Sequence, residues 1–375
     1  MNAKPFPLIR LTILLALVSC SAQKQESLPG DFVFEEIAYA RNLEIAKGDS
    51  CAVVRIRDPW DTLSFRRQYV LVGRDCPLPS QLPEGELIRI PVLRASVYSS
   101  VHTSMLERLN ALDVVSGVCE PQYLTSEAAV RRLENGLITD LGPASGPSIE
   151  RIVETGSEVI IASPFENCSF GAAEKLDIPI VEAVDYMENH PLGRTEWVKF
   201  FGLLTGREAE ADSIFKATEE HYLELKALAA SASEHPTVML ERKEGASWGL
   251  PGGESYIGMM HEDAGAEYIF KYLSGARNVG LPFETVLEEA SDADFWFIKH
   301  GGKSGYGYSD LKEEYLPYSY FKAFKDSNIF VCSTMSSTYY EDITLNPDLI
   351  LEDFIAIYHP ELLPNHINRY YFPME

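Results

Sequence analysis

The sequence predicts an α/β protein made of two Rossmann-like lobes with parallel sheets, joined by one long bridging helix. Short apolar runs alternate with helix-like stretches in two blocks, one after Val92 and one after Pro236. This alternation is typical of parallel sheets, because their crossover connections are helical. The stretch between the blocks keeps a helical spacing of apolar residues. A small β extension is predicted ahead of the first lobe.

The chain begins with the features of an export signal. Lys4 and Arg10 give a positive start, and Leu11–Val18 is an apolar run of about eight residues. That run is too short to cross a bilayer core, which needs roughly 20 apolar residues. We therefore interpret residues 1–19 as a signal peptide and residues 20–30 as a polar tether.

Cys20 follows the signal directly and ends the sequence Leu-Val-Ser-Cys. This sequence resembles a bacterial lipobox, in which the thiol receives a diacylglycerol and cleavage falls just before it. An incidental cysteine behind an ordinary signal peptide is the alternative, but the small Ser19 and the polar residues after Cys20 favour lipid attachment. The prediction is a lipoprotein of the cell envelope, held at the membrane on its periplasmic side by Cys20.

Composition excludes some classes of function. Apolar residues make up 46% of the chain and aromatic residues 11%, which is ample for folded cores. Asp and Glu number 56 against 32 Lys and Arg, for a net charge of -24. Nucleic-acid binding needs a basic footprint. We therefore predict no nucleic-acid partner.

The cysteines beyond Cys20 show no CxxC pair, which argues against a structural zinc site. An exported protein can form disulfides. Cys51 and Cys76 are the local candidates for such a bond. The others, expected as free thiols, are Cys119, Cys168 and Cys332.

Each region of the chain has its own pattern. Residues 31–92 contain short β-branched runs between turn residues and predict the β extension. The first lobe is expected over 93–205 and the second over 236–375. The linker 206–232 predicts a helix, because a buried stripe recurs every three to four residues between Glu208 and Leu228. A rigid strut between the lobes is favoured over an ordinary surface helix.

The order of these parts resembles the solute-binding proteins of bacterial ABC importers, in the helical-backbone class that carries ferric siderophores, haem or cobalamin. The similarity covers roughly 93–365. It is carried by "VYSSVHTSMLERLNALDVVSGV", by "PSIERIVETGSEVIIASPFEN" with its echo "FETVLEEASDADFWFIKH", and by the closing "LNPDLILEDFIAIYHPELLP". The resemblance implies a small-molecule ligand, the transmembrane subunits of an ABC permease as partner, no resident cofactor and no enzymatic activity.

That class carries a glutamate near the start of the first lobe's opening helix, which pairs with an arginine of the permease. Here Ser104 stands at the matching place and Glu107 follows about one turn later. The resemblance therefore implies permease docking through Glu107.

Ligands of open α/β sheets bind beyond the carboxyl ends of the strands. In the first lobe this rule selects segments around 98–102, 120–123 and 164–167. In the second lobe it selects 241–253, 299–302 and 333–334. The predicted ligand-binding residues are Tyr98, Ser99, His102, Tyr123, Glu166, Asn167, Trp248, Tyr256, Lys299 and His300.

Four of these residue types suggest a particular ligand chemistry. Trp248 stands in a Gly/Pro-rich stretch, where a large ring beside a cleft suits a planar macrocycle or a catechol. Tyr98 and Tyr123 either serve the same purpose from the opposite wall or are packing aromatics. Lys299 with His300 is expected to contact an anionic group of a chelate.

Two other classes of protein stay open as alternatives. The first is a lipoprotein that binds a bare transition-metal ion, although His102, His261 and His300 lack HxxxH or HExxH spacing. The second is a secreted α/β enzyme. Residues 245–249, GASWG, match the GxSxG pattern, but the sequence identifies no histidine and aspartate as catalytic partners of that serine.

Overall fold

The structure is a computed structural model that describes residue 28, residues 31–302 and residues 305–375. The predicted signal segment and the lipid-attachment residue Cys20 lie outside these residues. Within the described part, no helix is both long enough and apolar enough to cross a membrane. The predicted fold class is confirmed: two α/β lobes with parallel sheets, one long helix between them and a β extension ahead of them.

The N-terminal extension is a five-stranded sheet. The first four strands pair antiparallel in chain order, and the fifth joins the fourth in parallel. The strands are β1 Val33–Phe34, β2 Leu43–Lys47, β3 Ala52–Arg57, β4 Phe65–Gly73 and β5 Glu86–Ile90. β-Branched residues occupy five of the nine buried positions of β3 and β4, which suits a pleated and largely buried surface.

Carboxylates of the first lobe hold this extension in place. Glu196 accepts hydrogen bonds from the main-chain N–H groups of residues 38–40, and Glu188 accepts those of residues 41 and 42. The Tyr69 hydroxyl donates to the Ile180 carbonyl oxygen at 2.8 Å and accepts from the Glu182 N–H at the same distance. The extension and the first lobe therefore share buried polar contacts as well as one apolar core.

The first lobe is a parallel sheet whose strands run in the order β10-β9-β6-β7-β8. Its elements are β6 Ala95–Val97, α1 Ser100–Arg108, β7 Val115–Val118, α2 Glu127–Glu134, β8 Thr139–Asp140, α3 Ile149–Glu154, β9 Val159–Ala162 and β10 Ile180–Glu182. A serine side chain caps the N-terminus of each helix: Ser99, Ser126 and Ser148. The central strands are buried along their whole length, as in parallel sheets covered on both faces.

Three helices lead from the first lobe to the second: α4 Pro191–Glu196, α5 Val198–Thr205 and α6 Glu208–Ala229. Gly206, with φ 67°, ends α5 in the left-handed conformation that glycine adopts without a steric cost. The bridging helix α6 has 22 residues, which corresponds to a length of about 33 Å. Its buried stripe consists of Ala211, Phe215, Thr218, Tyr222, Leu225 and Ala229.

The second lobe has a main sheet in the order β14-β11-β16-β17-β18, parallel except for the last strand, and a small antiparallel sheet in the order β12-β13-β15. Its elements are β11 Thr237–Leu240, β12 Lys243–Glu244, β13 Ser247–Pro251, α7 Tyr256–Asp263, β14 Glu267–Tyr268, β15 Asn278–Leu281, α8 Phe283–Ala290, β16 Phe295–His300, α9 Tyr308–Glu314, α10 Lys322–Lys325, β17 Ile329–Ser333, α11 Tyr339–Leu345, α12 Pro347–Tyr358 and β18 Phe372–Pro373.

Helix α6 contacts both lobes. It packs against α5 and against α12. The Tyr222 hydroxyl donates to the Asp263 carboxylate of α7 at 2.8 Å, and His221 Nδ1 lies 2.8 Å from the Asp348 carboxylate of α12. One continuous apolar core includes residues of the extension, both lobes and this helix.

The expected disulfide is absent. Cys51 and Cys76 are both free thiols, as are the other three cysteines of the described part. Cys51 lies directly before β3, whereas Cys76 follows the end of β4 in an exposed turn. Ala52 pairs with Leu71, so both cysteines lie at the same end of the antiparallel β3–β4 pair, yet they form no disulfide.

Candidate functional site

A large cavity lies between the first lobe and one segment of the second. Its volume is about 1260 Å³, which exceeds the usual range for small-molecule sites. Most of its wall comes from loops after the first-lobe strands. The remainder is residues 334–341, the segment between β17 and the first turn of α11. The cavity therefore follows the rule that ligands bind beyond the carboxyl ends of strands.

The first-lobe wall starts where the central strands end. Tyr98 and Ser99 follow β6, Cys119 and Glu120 follow β7, and Ser163 follows β9. Glu120 adopts a left-handed backbone with φ 49° and donates its N–H to the Gly142 carbonyl oxygen. That turn directs the chain from β7 into the 122–125 part of the wall.

The second-lobe wall carries hydroxyl groups, two exposed apolar side chains and one carboxylate. Met335 and Tyr340 are each about half exposed, at 54% and 50%. Glu341 is buried, and burial raises the pKa of its carboxyl. The Ser100 hydroxyl of α1 donates to this carboxylate, with 3.0 Å between Ser100 Oγ and Glu341 Oε1. This hydrogen bond connects the two lobes at the cavity.

Aromatic rings line the cavity from both lobes. They belong to Tyr98, Tyr123, Phe165, Phe170, Tyr186 and Tyr340. The Tyr186 hydroxyl donates to the Pro164 carbonyl oxygen, and the Tyr186 and Phe165 ring centroids lie 6.4 Å apart. Flat apolar surfaces of this kind suit a ligand with a large unsaturated or macrocyclic framework.

The charged side chains of the described cavity lining are all acidic. Among the lining residues that the structure describes, Glu120 and Glu341 carry carboxylates and none is Lys, Arg or His. Burial raises the pKa of the Cys119 thiol to about 12, so this thiol is neutral at physiological pH. The buried hydroxyl of Tyr98 has no hydrogen-bond partner among the described residues.

Three of the predicted ligand-binding residues line the cavity: Tyr98, Ser99 and Tyr123. Glu166 and Asn167 are exposed in the same loop, but its cavity-lining residues are their neighbours Phe165 and Cys168.

His102 lies inside the first lobe rather than on the cavity wall. It sits in the first turn of α1, fully buried, with Nε2 2.9 Å from the Asp185 carboxylate. Its ring is also 5.4 Å from that of Phe201, between centroids. His102 is thus a core histidine with a carboxylate partner.

Trp248 was expected at the cleft and is instead in the core of the second lobe. It lies in β13 with no exposed surface, and its Nε1–H donates to the Leu240 carbonyl oxygen at 3.0 Å. Its ring packs 5.6 Å from the rings of Trp296 and Tyr318, between centroids. Gly249 and Pro251 of the Gly/Pro-rich stretch belong to this strand, which explains why the stretch was misinterpreted as a loop.

The remaining second-lobe candidates also lie outside the cavity lining. Lys299 pairs with Glu241 at 2.6 Å, and His300 stacks on Tyr306 with 4.2 Å between ring centroids. Tyr256 begins α7, and the Arg194 guanidinium lies 4.2 Å from the centre of its ring. Lys299 thus has an ion-pair partner and His300 a stacking partner within the protein, and neither side chain lines this cavity.

Sequence reasoning missed the larger part of the second-lobe wall. It stopped at Thr334, whereas the wall continues through Glu341. The hydroxyl-rich and aromatic stretch "TMSSTYYE" directly after β17 is a signal that could have extended the prediction. Tyr186 was also missed, because a short 3₁₀ turn at Asp185–Met187, rather than a strand end, places it in the wall.

No group of three or more His, Cys, Asp or Glu residues that could hold a metal ion occurs in residues 31–302 and 305–375. Glu107 is half-buried on α1.

The fold and the cavity define a two-lobed ligand-binding protein. A family model described as "Periplasmic binding protein" matches residues 99–334. The chain therefore belongs to the periplasmic binding protein family, a family of solute-binding proteins rather than of enzymes. The expected family resemblance is confirmed.

A curated relative is an uncharacterized lipoprotein of Methanocaldococcus jannaschii, 29% identical over 313 residues, which covers 79% of this chain and 73% of the relative. A possible iron-binding, periplasmic solute-binding protein of Staphylococcus epidermidis has a similar structure, with a TM-score of 0.57 and 16% identity over 72% of this chain and 99% of that chain. A periplasmic haem-binding protein of Vibrio cholerae also has a TM-score of 0.57, with 14% identity over 71% of this chain and 99% of that chain. At these identities the two structures establish the fold alone.

Proposed function

We propose that this protein is a lipid-anchored solute-binding protein of an ABC importer, which captures an iron chelate or cobalamin and delivers it to a permease. The observation that carries the proposal is the cavity of about 1260 Å³, with aromatic rings from both lobes in its wall. Siderophores, haem and cobalamin all have large frameworks that would fill such a volume better than a bare ion would. The iron-binding and haem-binding names of the two structural neighbours support the same class of ligand.

The site also fits binding better than catalysis. Its polar lining consists mainly of hydroxyl groups, among them Ser145, Ser163, Ser169, Thr334, Ser336 and Thr338. His102, one of the histidines considered from sequence, is buried against Asp185 instead of activating one of these hydroxyls.

Anchoring is proposed to occur through a lipid on Cys20. The lipobox-like sequence supports it, as does the lipoprotein name of the archaeal relative. Replacing Cys20 by Ser should move the protein from the membrane fraction to the soluble envelope fraction; retention in the membrane would argue against this anchor. Glu107 remains the proposed permease contact.

The binding proposal is tested by calorimetric titration of the full chain with haem, cobalamin and ferric siderophores. Phe165→Ala in the first lobe and Tyr340→Ala in the second should each weaken binding of the ligand by about tenfold, because each ring loses its contact with the ligand. Tyr320→Ala is the matched control, since this tyrosine is exposed to 53% and lies outside the cavity lining.

Saturable binding that is weakened by both cavity variants and unchanged in the control would support the proposal. Absence of binding to every chelate, together with stabilisation by a bare transition-metal ion, would favour the metal-binding alternative instead.

A further inference from the structure

We infer that the ligand carries no net negative charge and is recognised through a cationic or hydrogen-bond-donating face by Glu120 and Glu341. The inference rests on the proposed function and specifies its substrate class. It contradicts the expectation from sequence that Lys299 and His300 bind an anionic group.

The two carboxylates approach the cavity from different lobes. Glu120 is held at the end of β7 by its left-handed backbone, and Glu341 by the hydrogen bond from Ser100. A ligand that fills the cavity is therefore close to acidic groups on both sides. An anionic ligand would experience repulsion there without a described lysine, arginine or histidine in the wall to offset it.

Two cationic side chains outside the cavity lining, Lys299 and Arg194, already have partners within the protein. Lys299 is paired with Glu241 at 2.6 Å. Arg194 donates to the Asp185 and Tyr186 carbonyl oxygens and stacks against Tyr256. Moving either cation to a ligand would break an existing interaction, and for Arg194 several at once.

The aromatic rings of the wall also favour a cationic ligand over an anionic one. The face of a tyrosine or phenylalanine ring carries negative electrostatic potential and attracts a cation within about 6 Å. Tyr123, Phe165 and Tyr340 offer such faces at exposed positions of the wall. Rings and carboxylates together form a lining suited to an ammonium or amide-rich surface.

Tyr98 supplies an independent indication of a polar contact. Its hydroxyl is buried and lacks a protein hydrogen-bond partner among the described residues, although the side chain belongs to the cavity wall. Leaving a buried polar group unsatisfied costs about 1–3 kcal/mol. A ligand that bonds this hydroxyl would remove that cost.

These features discriminate among iron chelates by simple charge balance. Three hydroxamate groups, each singly negative, neutralise one ferric ion, so the complex is neutral, or cationic if its backbone bears an amine. Three catecholate groups, each doubly negative, leave a triply negative complex. The lining therefore fits a ferric trihydroxamate and disfavours a ferric tricatecholate.

The test compares three ferric complexes by calorimetric titration of the full chain: the cationic trihydroxamate ferrioxamine B, the neutral trihydroxamate ferrichrome and a triply negative tricatecholate. We expect the two trihydroxamates to bind more tightly than the tricatecholate. Glu120→Gln and Glu341→Gln should each lower the affinity of the protein for the cationic complex by about tenfold, which corresponds to one lost charge-assisted hydrogen bond. The affinity for the neutral complex should fall by less than about threefold, because this complex contacts a hydrogen-bond acceptor that glutamine retains.

Glu134→Gln is the matched control, since this glutamate is exposed on α2 and outside the cavity lining. Tighter binding of the tricatecholate, or an affinity for ferrioxamine B that neither glutamine variant changes, would overturn the inference while leaving the proposed function intact. Failure of all chelates, including haem and cobalamin, to bind would overturn the proposed function and the inference with it.

Discussion

At the scale of single residues, His261 predicts how the protein responds to acid. Burial, with a contribution from Lys299, lowers the pKa of His261 to about 3, whereas the unfolded chain has the ordinary value near 6.5. Below about pH 6.5 the unfolded state therefore binds a proton at this histidine, whereas the folded state keeps the imidazole neutral. The free energy of unfolding then falls by up to about 1.4 kcal/mol for each pH unit of acidification. His261→Phe should reduce the loss of unfolding free energy between pH 7 and pH 5 by about 2 kcal/mol, measured by urea denaturation.

Two comparisons make that measurement specific. Burial raises the pKa of Glu188 to about 7, so protonation of this carboxyl stabilises the folded state as the pH falls. Glu188 is present in the wild type and in His261→Phe, and its effect therefore cancels when their unfolding free energies are compared. Tyr358→Phe removes the hydroxyl that lies 2.7 Å from His261 Nδ1 and keeps the imidazole. It should lower stability by a similar amount at both pH values. If the unfolding free energy of His261→Phe depended on pH as steeply as that of the wild type, His261 would not be the group responsible.

At the scale of elements, the close contact between α5 and α6 sets how rigidly the bridging helix is held. A methyl group at Gly202 would lie 2.6 Å from Ala211 Cβ and 2.9 Å from the Arg207 carbonyl oxygen. Gly202→Ala should lower the unfolding free energy by about 2–3 kcal/mol, because the two helices would have to separate. In a double-mutant cycle, Ala211→Gly should recover part of this loss, and strict additivity of the two substitutions would contradict the contact.

The elements also show what the sequence could predict and what it could not. Helix α6 was predicted at 208–228 and is observed at Glu208–Ala229, because one buried stripe on a charged helix is a local, periodic signal. The position of Trp248 depended on which neighbours close over it, and a Gly/Pro-rich turn nearby was misleading. The wall at 334–341 depends on the approach of α11 to α1, a contact between distant parts of the chain that has no local signature.

At the scale of the whole molecule, the continuous core predicts a single cooperative unfolding transition. Residues of the extension, both lobes and α6 belong to one apolar cluster. Tyr69→Phe removes two hydrogen bonds between the extension and the first lobe and should lower stability by about 1–2 kcal/mol. In scanning calorimetry the whole transition should move to lower temperature.

A separate low-temperature transition in that variant would show instead that the β extension unfolds independently. Phe65→Ala serves as control, since this side chain is 40% exposed and packs against arginines of the extension itself. It should leave the shape of the transition unchanged.

The bridging helix has a consequence for how cargo is exchanged. A helix of 22 residues that packs against α5 and α12 resists bending, so under the proposed function we expect the empty and the ligand-bound protein to have nearly the same outline. Under the proposed function, the permease would therefore not distinguish the ligand-bound protein from the empty one by a large rotation of the lobes. We expect it instead to contact the rim of the cavity, where the exposed side chains of Phe165, Met335 and Tyr340 lie. The bound ligand would then form part of the surface that contacts the permease.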